Sequence, residues 1–232
     1  MGRSRTRRVV AAALATISLA ACDATAGSPA SGPAPAPGPS TSVSEEQATV
    51  TSAPEPYDSE HFVPALRVDP PTWFTSDPVQ DEAHFLTWVG EGVDVDRAVR
   101  FLSPIGIYAP SAPDKQVGKL HGVPDDYVRY LLRLREHGAQ VSDRTTLEVD
   151  GHHATLMTAG TSASLSGTLG CWDEGQTPGD CMGLQPYALI RLAVIDDDGT
   201  TVLAWARTLP GSPTRDQDFA AFEAMLATLR FR

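Results

Sequence analysis

The chain has fewer basic than acidic residues, whereas surfaces that bind polyanions are built from basic residues. Its 232 residues include no asparagine, two lysines (Lys115 and Lys119) and three cysteines. The formal net charge is −11, whereas nucleic-acid binding needs clustered Lys and Arg against the phosphates. The absence of asparagine also leaves no N-linked glycosylation sequon. The composition therefore argues against nucleic acid as a partner.

The first 21 residues have the pattern of a secretory signal peptide. Four arginines precede a short apolar run over residues 9–15, a layout typical of export signals. The run is shorter than the ~20 residues that a membrane-spanning helix needs. Residues 6–10 also resemble a twin-arginine signal, so the export route stays open.

The end of this segment, Leu19-Ala20-Ala21-Cys22, resembles a bacterial lipobox. The resemblance implies lipidation of the Cys22 thiol by palmitate-type chains and cleavage before it. Two or three acyl chains give stable membrane anchoring, which a single chain does not. We therefore expect a membrane lipoprotein on the outer face of the cytoplasmic membrane. The alternative is an ordinary signal peptide with a chance cysteine.

Removal of residues 1–21 changes the charge of the protein further. It leaves 14 basic residues against 29 acidic ones, a formal charge of −15. Such a chain is not attracted electrostatically to anionic lipid. The link to the membrane is therefore expected to be the covalent lipid.

Residues 22–56 are expected to form a tether. The stretch is rich in Pro, Ala and Ser and contains no large apolar run, so it cannot offset the entropy of ordering. We predict a disordered linker here and a single globular domain over residues 57–232, which is long enough for one substantial core.

The two remaining cysteines, Cys171 and Cys181, are predicted to form a disulfide, because export places them in an oxidising compartment. A metal site is the alternative. The nearby acids Asp173, Glu174 and Asp180 come without a histidine, which disfavours a metal. Trp172 follows the first of these cysteines, and we predict an exposed contact anchor there.

The pattern of the domain predicts an α+β fold, in which helices pack on an antiparallel sheet of five to seven strands. Asp150-Gly151 joins two strand-like runs and predicts a tight hairpin. A second hairpin is predicted over residues 187–206, with a nearly apolar first strand. Helices are predicted from Pro124 to Gly138 and around Phe219–Leu229, the latter capped by Asp216 or Asp218.

No local catalytic motif is present: the zincin pair, the nucleophile elbow and the phosphate loop are all missing. We expect no catalytic residue, no metal and no cofactor. His152 and His153 are adjacent on a strand and should point to opposite faces, but a scattered hydrolase site that combines one of them with a carboxylate such as Asp150 stays an alternative.

Three further groups of polar residues are predicted to be structural. The acids at Asp196–Asp198 are contiguous, unlike the spaced ligands of a calcium loop, and fit a hairpin turn. Asp94 and Asp96 fit a loop. The serines lie in a Gly- and Ser-rich segment predicted to be a flexible loop; they are Ser162, Ser164 and Ser166.

The domain resembles the PsbP-like fold of small actinobacterial lipoproteins, an α/β sandwich. The features that carry the resemblance are the Pro70–Trp73 turn, the Val149–Gly151 hairpin and the final helix at Phe222–Leu226, which leads to Leu229–Phe231. The resemblance implies a non-catalytic binding or accessory module and transfers no functional residue. The abundance of Arg, Ala, Gly and Pro fits the GC-rich genome of such a source.

The leading hypothesis is therefore a membrane-anchored extracytoplasmic lipoprotein whose domain binds an envelope protein, a glycan or a small ligand. An extracytoplasmic hydrolase with a scattered site is one alternative. A structural envelope lipoprotein without a ligand is the other.

Overall fold

The computed structural model describes residues 55–74, 77–90, 97–110 and 118–232. The signal segment, Cys22, Asp94, Asp96 and all but the end of the 22–56 tether lie outside the described residues. In the described part, no helix is long and apolar enough to span a bilayer.

The described part of the chain contains fourteen strands, two α-helices and one 3-10 turn. In chain order they are β1 (Tyr57–Asp58), β2 (Leu66–Val68), β3 (Gln80–Glu82), β4 (Phe85–Val89), β5 (Ala98–Leu102), β6 (Ile107–Tyr108), β7 (Leu120–His121), α1 (Tyr127–Arg133), a 3-10 turn (Leu134–His137), β8 (Ala139–Val149), β9 (His152–Thr161), β10 (Leu165–Gly170), β11 (Met182–Leu184), β12 (Leu189–Asp197), β13 (Thr200–Thr208), α2 (Arg215–Thr228) and β14 (Arg230–Phe231).

The centre of the fold is a seven-stranded antiparallel sheet in the order β3-β4-β5-β13-β12-β9-β8. The turn of each of its two long hairpins consists of two residues in the left-handed backbone conformation. Asp150 and Gly151 have φ of 52° and 85°, and Asp198 and Gly199 have φ of 49° and 91°. Two positive φ values are what a two-residue hairpin turn requires. The predicted hairpins are confirmed, and the acids at the second one belong to the turn.

One face of the sheet packs against α2 and a small sheet of β1, β2 and β14. Phe222 and Leu226 of α2 are fully buried there. The helix begins after Thr214, whose side chain makes no capping hydrogen bond. The prediction that Asp216 or Asp218 caps it is wrong, because Asp218 is buried and binds Arg97 instead.

The opposite face packs against α1 and the β10–β11 hairpin. The helix begins at Tyr127 rather than Pro124, because Asp126 caps it by accepting a hydrogen bond of 2.8 Å from the Arg129 amide. Gly138 ends the turn that follows with φ of 97°, as predicted. The hydroxyl of Tyr127 donates to the Leu169 carbonyl at 2.7 Å and so ties α1 to β10.

The helices therefore cover both faces of one antiparallel sheet, and the predicted α+β class is confirmed. The Gly- and Ser-rich segment over residues 160–170 is mostly strand rather than the predicted loop. Strand β9 extends to Thr161 and β10 begins at Leu165, so that only residues 162–164 connect them. Gly167 and Gly170 have φ of 75° and 118°, which lets the strand bend close to its neighbours.

Candidate functional site

The β10–β11 hairpin covers part of the face of the sheet on which α1 packs, and we call this hairpin the roof. The sulfur atoms of Cys171 and Cys181 lie at disulfide distance, 1.95 Å, and both residues are buried. The loop between them is braced internally: Gln176 accepts hydrogen bonds from the amide of Trp172, and Asp180 accepts from the Thr177 hydroxyl. The disulfide and these hydrogen bonds thus hold the two strands of the roof together at the end where residues 171–181 connect them.

A cavity of about 180 Å³ lies between this roof and the centre of the sheet. We call it the arginine pocket. Its floor comes from strands β5, β12 and β13, and its roof from the segment that includes β11. Its lining is Arg100, Leu169, Gly179, Asp180, Cys181, Met182, Gly183, Leu184, Gln185, Tyr187, Ala188, Ile190, Trp205 and Arg207.

The distinctive group in the arginine pocket is the Arg100 guanidinium. It lies in the middle of β5, between buried Val99 and Phe101. Its Nε donates to Thr87 Oγ1 at 3.3 Å, and its Nη1 contacts the Met182 sulfur at 3.8 Å. Within the described residues no carboxylate contacts Arg100, and its Nη2 makes no hydrogen bond.

Arg191 in β12 and Arg97, directly before β5, show the ordinary arrangement. Arg191 donates through Nε to Glu223 at 2.7 Å and through Nη1 to Thr158 and a backbone carbonyl. Arg97 is paired with the buried carboxylate of Asp218. A guanidinium has five N–H donors, and a buried charge is normally paired. Arg100 departs from this rule.

The environment of Arg100 disfavours the charged form of its guanidinium. Burial, and to a smaller extent the nearby Arg207 cation, lowers the pKa of Arg100 from 12.5 to about 10, while Tyr187 acts in the opposite direction. Desolvation always disfavours the charged form of a group. The pocket thus holds a cation that no carboxylate of the described residues neutralises.

The mouth of the pocket carries a second cation and an exposed aromatic ring. The Arg207 guanidinium lies over the Tyr187 ring, 5.3 Å from its centre. Tyr187 is 55% exposed, one of the few large hydrophobic side chains so exposed in the described chain. Strand register explains why both arginines face the cavity: Arg100 is opposite Trp205, and Arg207 lies two residues further on β13, so both side chains share a face.

Trp172 is placed differently from the prediction. It is half-buried and stacks on Phe85, with ring centres 4.6 Å apart and planes inclined by 20°. The premise of an exposed indole is wrong, because the loop folds back onto β4. A contact role for Trp172 stays a prediction. Tyr187, which lines the arginine pocket together with Cys181, is the more exposed aromatic residue.

The two histidines point to opposite faces of the sheet, as predicted. His152 lies 3.4 Å from Asp197 and packs edge-on against Phe231. Asp150 accepts a hydrogen bond from the Phe231 amide at 2.8 Å. Both residues therefore fasten the C-terminal strand to the hairpin.

His153 faces a second, more open groove of about 510 Å³ beside the start of α1. The groove is acidic, with Asp125, Asp126 and Asp196 in its lining. His153 makes no hydrogen bond within the described residues. Neither histidine is hydrogen-bonded to Ser162, Ser164 or Ser166; Ser164 instead contacts Ser166 and Gln185. The described residues contain no cluster of His, Cys, Asp and Glu that could hold a metal.

The residues that define the arginine pocket were not among the sequence-based candidates. One signal could have found Arg100: it interrupts an otherwise apolar strand, Ala98-Val99-Arg100-Phe101-Leu102. Arg191 interrupts its strand in the same way and is paired with the Glu223 carboxylate. Only the partners distinguish the two, and they come from distant parts of the chain.

The comparisons with known proteins return distant similarities of fold. No protein-family model and no curated protein matches the sequence. Among solved structures, the chain is similar to a Pseudomonas aeruginosa protein of unknown function, with 15% identity and a TM-score of 0.38 over 66% of this chain and 87% of that one.

Two further structures are similar. One is the cyanobacterial PsbP (CyanoP) from Synechocystis, with 9% identity and a TM-score of 0.37 over 79% of this chain and 96% of that one. The other is the Saccharomyces cerevisiae Ran-binding protein Mog1p, with 12% identity and a TM-score of 0.40 over 76% and 95%. A PsbP structure is thus among the similar ones, but at this distance they assign no activity, ligand or partner.

Proposed function

We propose that the chain is an extracytoplasmic lipoprotein, anchored through Cys22, whose domain is a non-catalytic module that binds a small ligand in the arginine pocket. The observation that carries the binding role is the Arg100 cation, which lies in a cavity and contacts no carboxylate in the part of the chain that the structure describes. A buried charge without a partner lowers stability, and sites that keep one are often functional.

The anchor is supported by the sequence and by the cysteine pair. The lipobox resemblance at residues 19–22 implies lipidation, and the acidic composition makes an electrostatic attachment unfavourable. Cys171 and Cys181 lie at disulfide distance, and structural disulfides are typical of exported proteins.

Membrane fractionation tests the anchor. We expect the parent chain to partition with membranes and to release into detergent, and Cys22→Ser to lose this behaviour. The matched control is the double variant Cys171→Ser/Cys181→Ser, which removes the other two thiols and should stay with the membrane. Equal partitioning of Cys22→Ser and the parent would overturn the anchor.

Thermal-shift screening tests the binding role. The full-length chain in detergent is mixed with small anions, cations, neutral sugars and neutral amides, and the same panel is applied to Arg100→Met. We expect at least one class to raise the melting temperature of the parent and not of the variant. No shift for any class, or equal shifts in both proteins, would contradict a ligand site at this pocket.

A further inference from the structure

The two edges of the seven-stranded sheet differ in length. Strand β3, at one edge, has three residues, whereas β8, at the other edge, has eleven. The outer edge of a strand presents unpaired N–H and C=O groups, and a very short edge strand is one way in which proteins limit pairing with another chain. In the part of the chain that the structure describes, no strand pairs with the outer edge of β8. Strand β8 is thus the edge that is long enough to receive another strand.

A β-bulge protects only the first half of β8. The register between β8 and β9 shifts between Ser142 and Thr145, and Asp143 has φ of 50°. Such a bulge twists an edge and interrupts regular pairing. From Thr145 to Val149 the register with β9 is continuous, so the second half of β8 has a regular outer edge.

The second half of β8 carries two opposite charges on one face of the sheet. Alternation places Thr146 and Glu148 on the same face, and Arg144 lines a groove beside Leu132 of α1, on that face as well. All three residues of this strand are exposed. Within the described residues, neither Arg144 nor Glu148 makes an ion pair or a side-chain hydrogen bond. Both charges are therefore available to a neighbouring chain.

This pattern is complementary to itself. When a second copy of β8 lies antiparallel about a two-fold axis at Thr146, each Arg144 is opposite the Glu148 of the other copy, and the two Thr146 residues are opposite each other. On the other face, each Thr145 is opposite a Leu147. Opposite-charge pairs and Thr–Thr pairs stabilise antiparallel strands, and a two-fold interface uses the same residues on both subunits.

The charges select one register. A two-fold axis perpendicular to the sheet pairs residues of the same face, so each symmetric register is centred on one residue. A centre at Thr145 places Glu148 opposite Ser142, and a centre at Leu147 places Glu148 opposite Thr146. Only the centre at Thr146 satisfies both charges of each strand within this segment.

We propose that two copies of this chain associate through β8, so that their seven-stranded sheets join into one continuous antiparallel sheet with a two-fold axis at Thr146. The proposal goes beyond ligand binding and does not depend on it, because the floor of the arginine pocket is formed by β5, β12 and β13. Arg144 and Glu148 serve two purposes here. They oppose pairing with unrelated strands, and they attract the same strand of a second copy.

Cross-linking through a cysteine at the axis tests the proposal. The Cα atoms of opposed residues in antiparallel strands lie about 4.5–5.5 Å apart, which is within the range of about 4.4–6.8 Å for a disulfide. We expect full-length Thr146→Cys in membranes to form a disulfide-linked dimer under mild oxidation, detected by non-reducing gel electrophoresis. The matched control is Thr200→Cys, which changes an exposed threonine at the start of β13 and should cross-link at least tenfold more slowly. The parent chain controls for cross-links through its own cysteines.

Charge reversal in the Thr146→Cys background tests the register. Arg144→Glu or Glu148→Arg turns both attractive pairs of the dimer into repulsive ones, so each should slow cross-linking by about tenfold. The double variant Arg144→Glu/Glu148→Arg restores opposite charges and should return the rate to within about twofold of Thr146→Cys. Glu174→Arg makes the same change of charge as Glu148→Arg in the exposed loop between the cysteines and should leave the rate unchanged.

Three results would overturn the proposal. The first is cross-linking of Thr146→Cys no faster than that of Thr200→Cys. The second is a rate that neither single charge reversal changes, although thermal unfolding shows that the variants are folded. The third is a double reversal that stays as slow as the single ones, because Arg144 and Glu148 would then each meet a partner other than a second copy of β8.

Discussion

Replacing Arg100 with methionine should stabilise the protein in the absence of ligand. The depression of the Arg100 pKa from 12.5 to about 10 corresponds to about 3 kcal/mol of lost stability, at 1.36 kcal/mol per unit. The hydrogen bonds to Thr87 and Met182 offset this by about 1 kcal/mol. Methionine keeps the apolar stem and removes the charge.

The expected gain is therefore about 2 kcal/mol, which for a domain of this size raises the melting temperature by about 4–8 °C. Differential scanning calorimetry of the full-length chain measures it. Arg191→Met is the matched control, because Arg191 is paired with Glu223 and Thr158; the same substitution there should lower the melting temperature. A decrease for Arg100→Met as large as that for Arg191→Met would refute the view that Arg100 is an unneutralised charge.

The pH dependence follows from the direction of the shift. The folded state releases the Arg100 proton before the unfolded state does, because its pKa is about 10 rather than 12.5. The destabilisation is thus fully present below about pH 10 and declines above it. The stability difference between Arg100→Met and the parent, measured by urea unfolding, should therefore be smaller at about pH 11 than at about pH 8. A difference that grows with pH would contradict the assigned sign.

Three further substitutions test the framework around the pocket by urea unfolding. Asp218→Ala should cost about 3–5 kcal/mol, because Asp218 is buried and its loss removes the carboxylate that pairs with Arg97; a cost below about 1 kcal/mol would contradict a structural pair. Leu226→Ala should cost about 2–5 kcal/mol, since Leu226 of α2 is fully buried against the sheet, and a neutral result would contradict the packing described for this face. Cys171→Ser/Cys181→Ser should cost about 3 kcal/mol by the chain-entropy account and should weaken ligand binding, since Cys181 lines the pocket; unchanged stability and binding would show that the bridge does not hold the roof.

Much of the local structure was predictable because it depends on neighbours in sequence. Asp150-Gly151 provides two residues that tolerate positive φ, so the hairpin follows from the chain alone. The hairpin predicted over residues 187–206 is likewise present as β12 and β13. The start of α1 was misplaced because both Pro124 and Asp126 are plausible start signals, and only the hydrogen bond from Arg129 to Asp126 identifies the cap.

The α+β class, the two hairpins and the proximity of two cysteines ten residues apart were set by periodicity, turn chemistry and short-range spacing, all of which the linear chain contains. The arginine pocket was decided by the tertiary structure, because it depends on which arginine receives a carboxylate. Arg191 and Arg100 each interrupt an apolar strand in the sequence. In the fold, α2 brings Glu223 to Arg191, whereas the β10–β11 hairpin places Met182 against Arg100. Charge pairing between residues distant in sequence has no local signature, since it arises only when separate elements pack together.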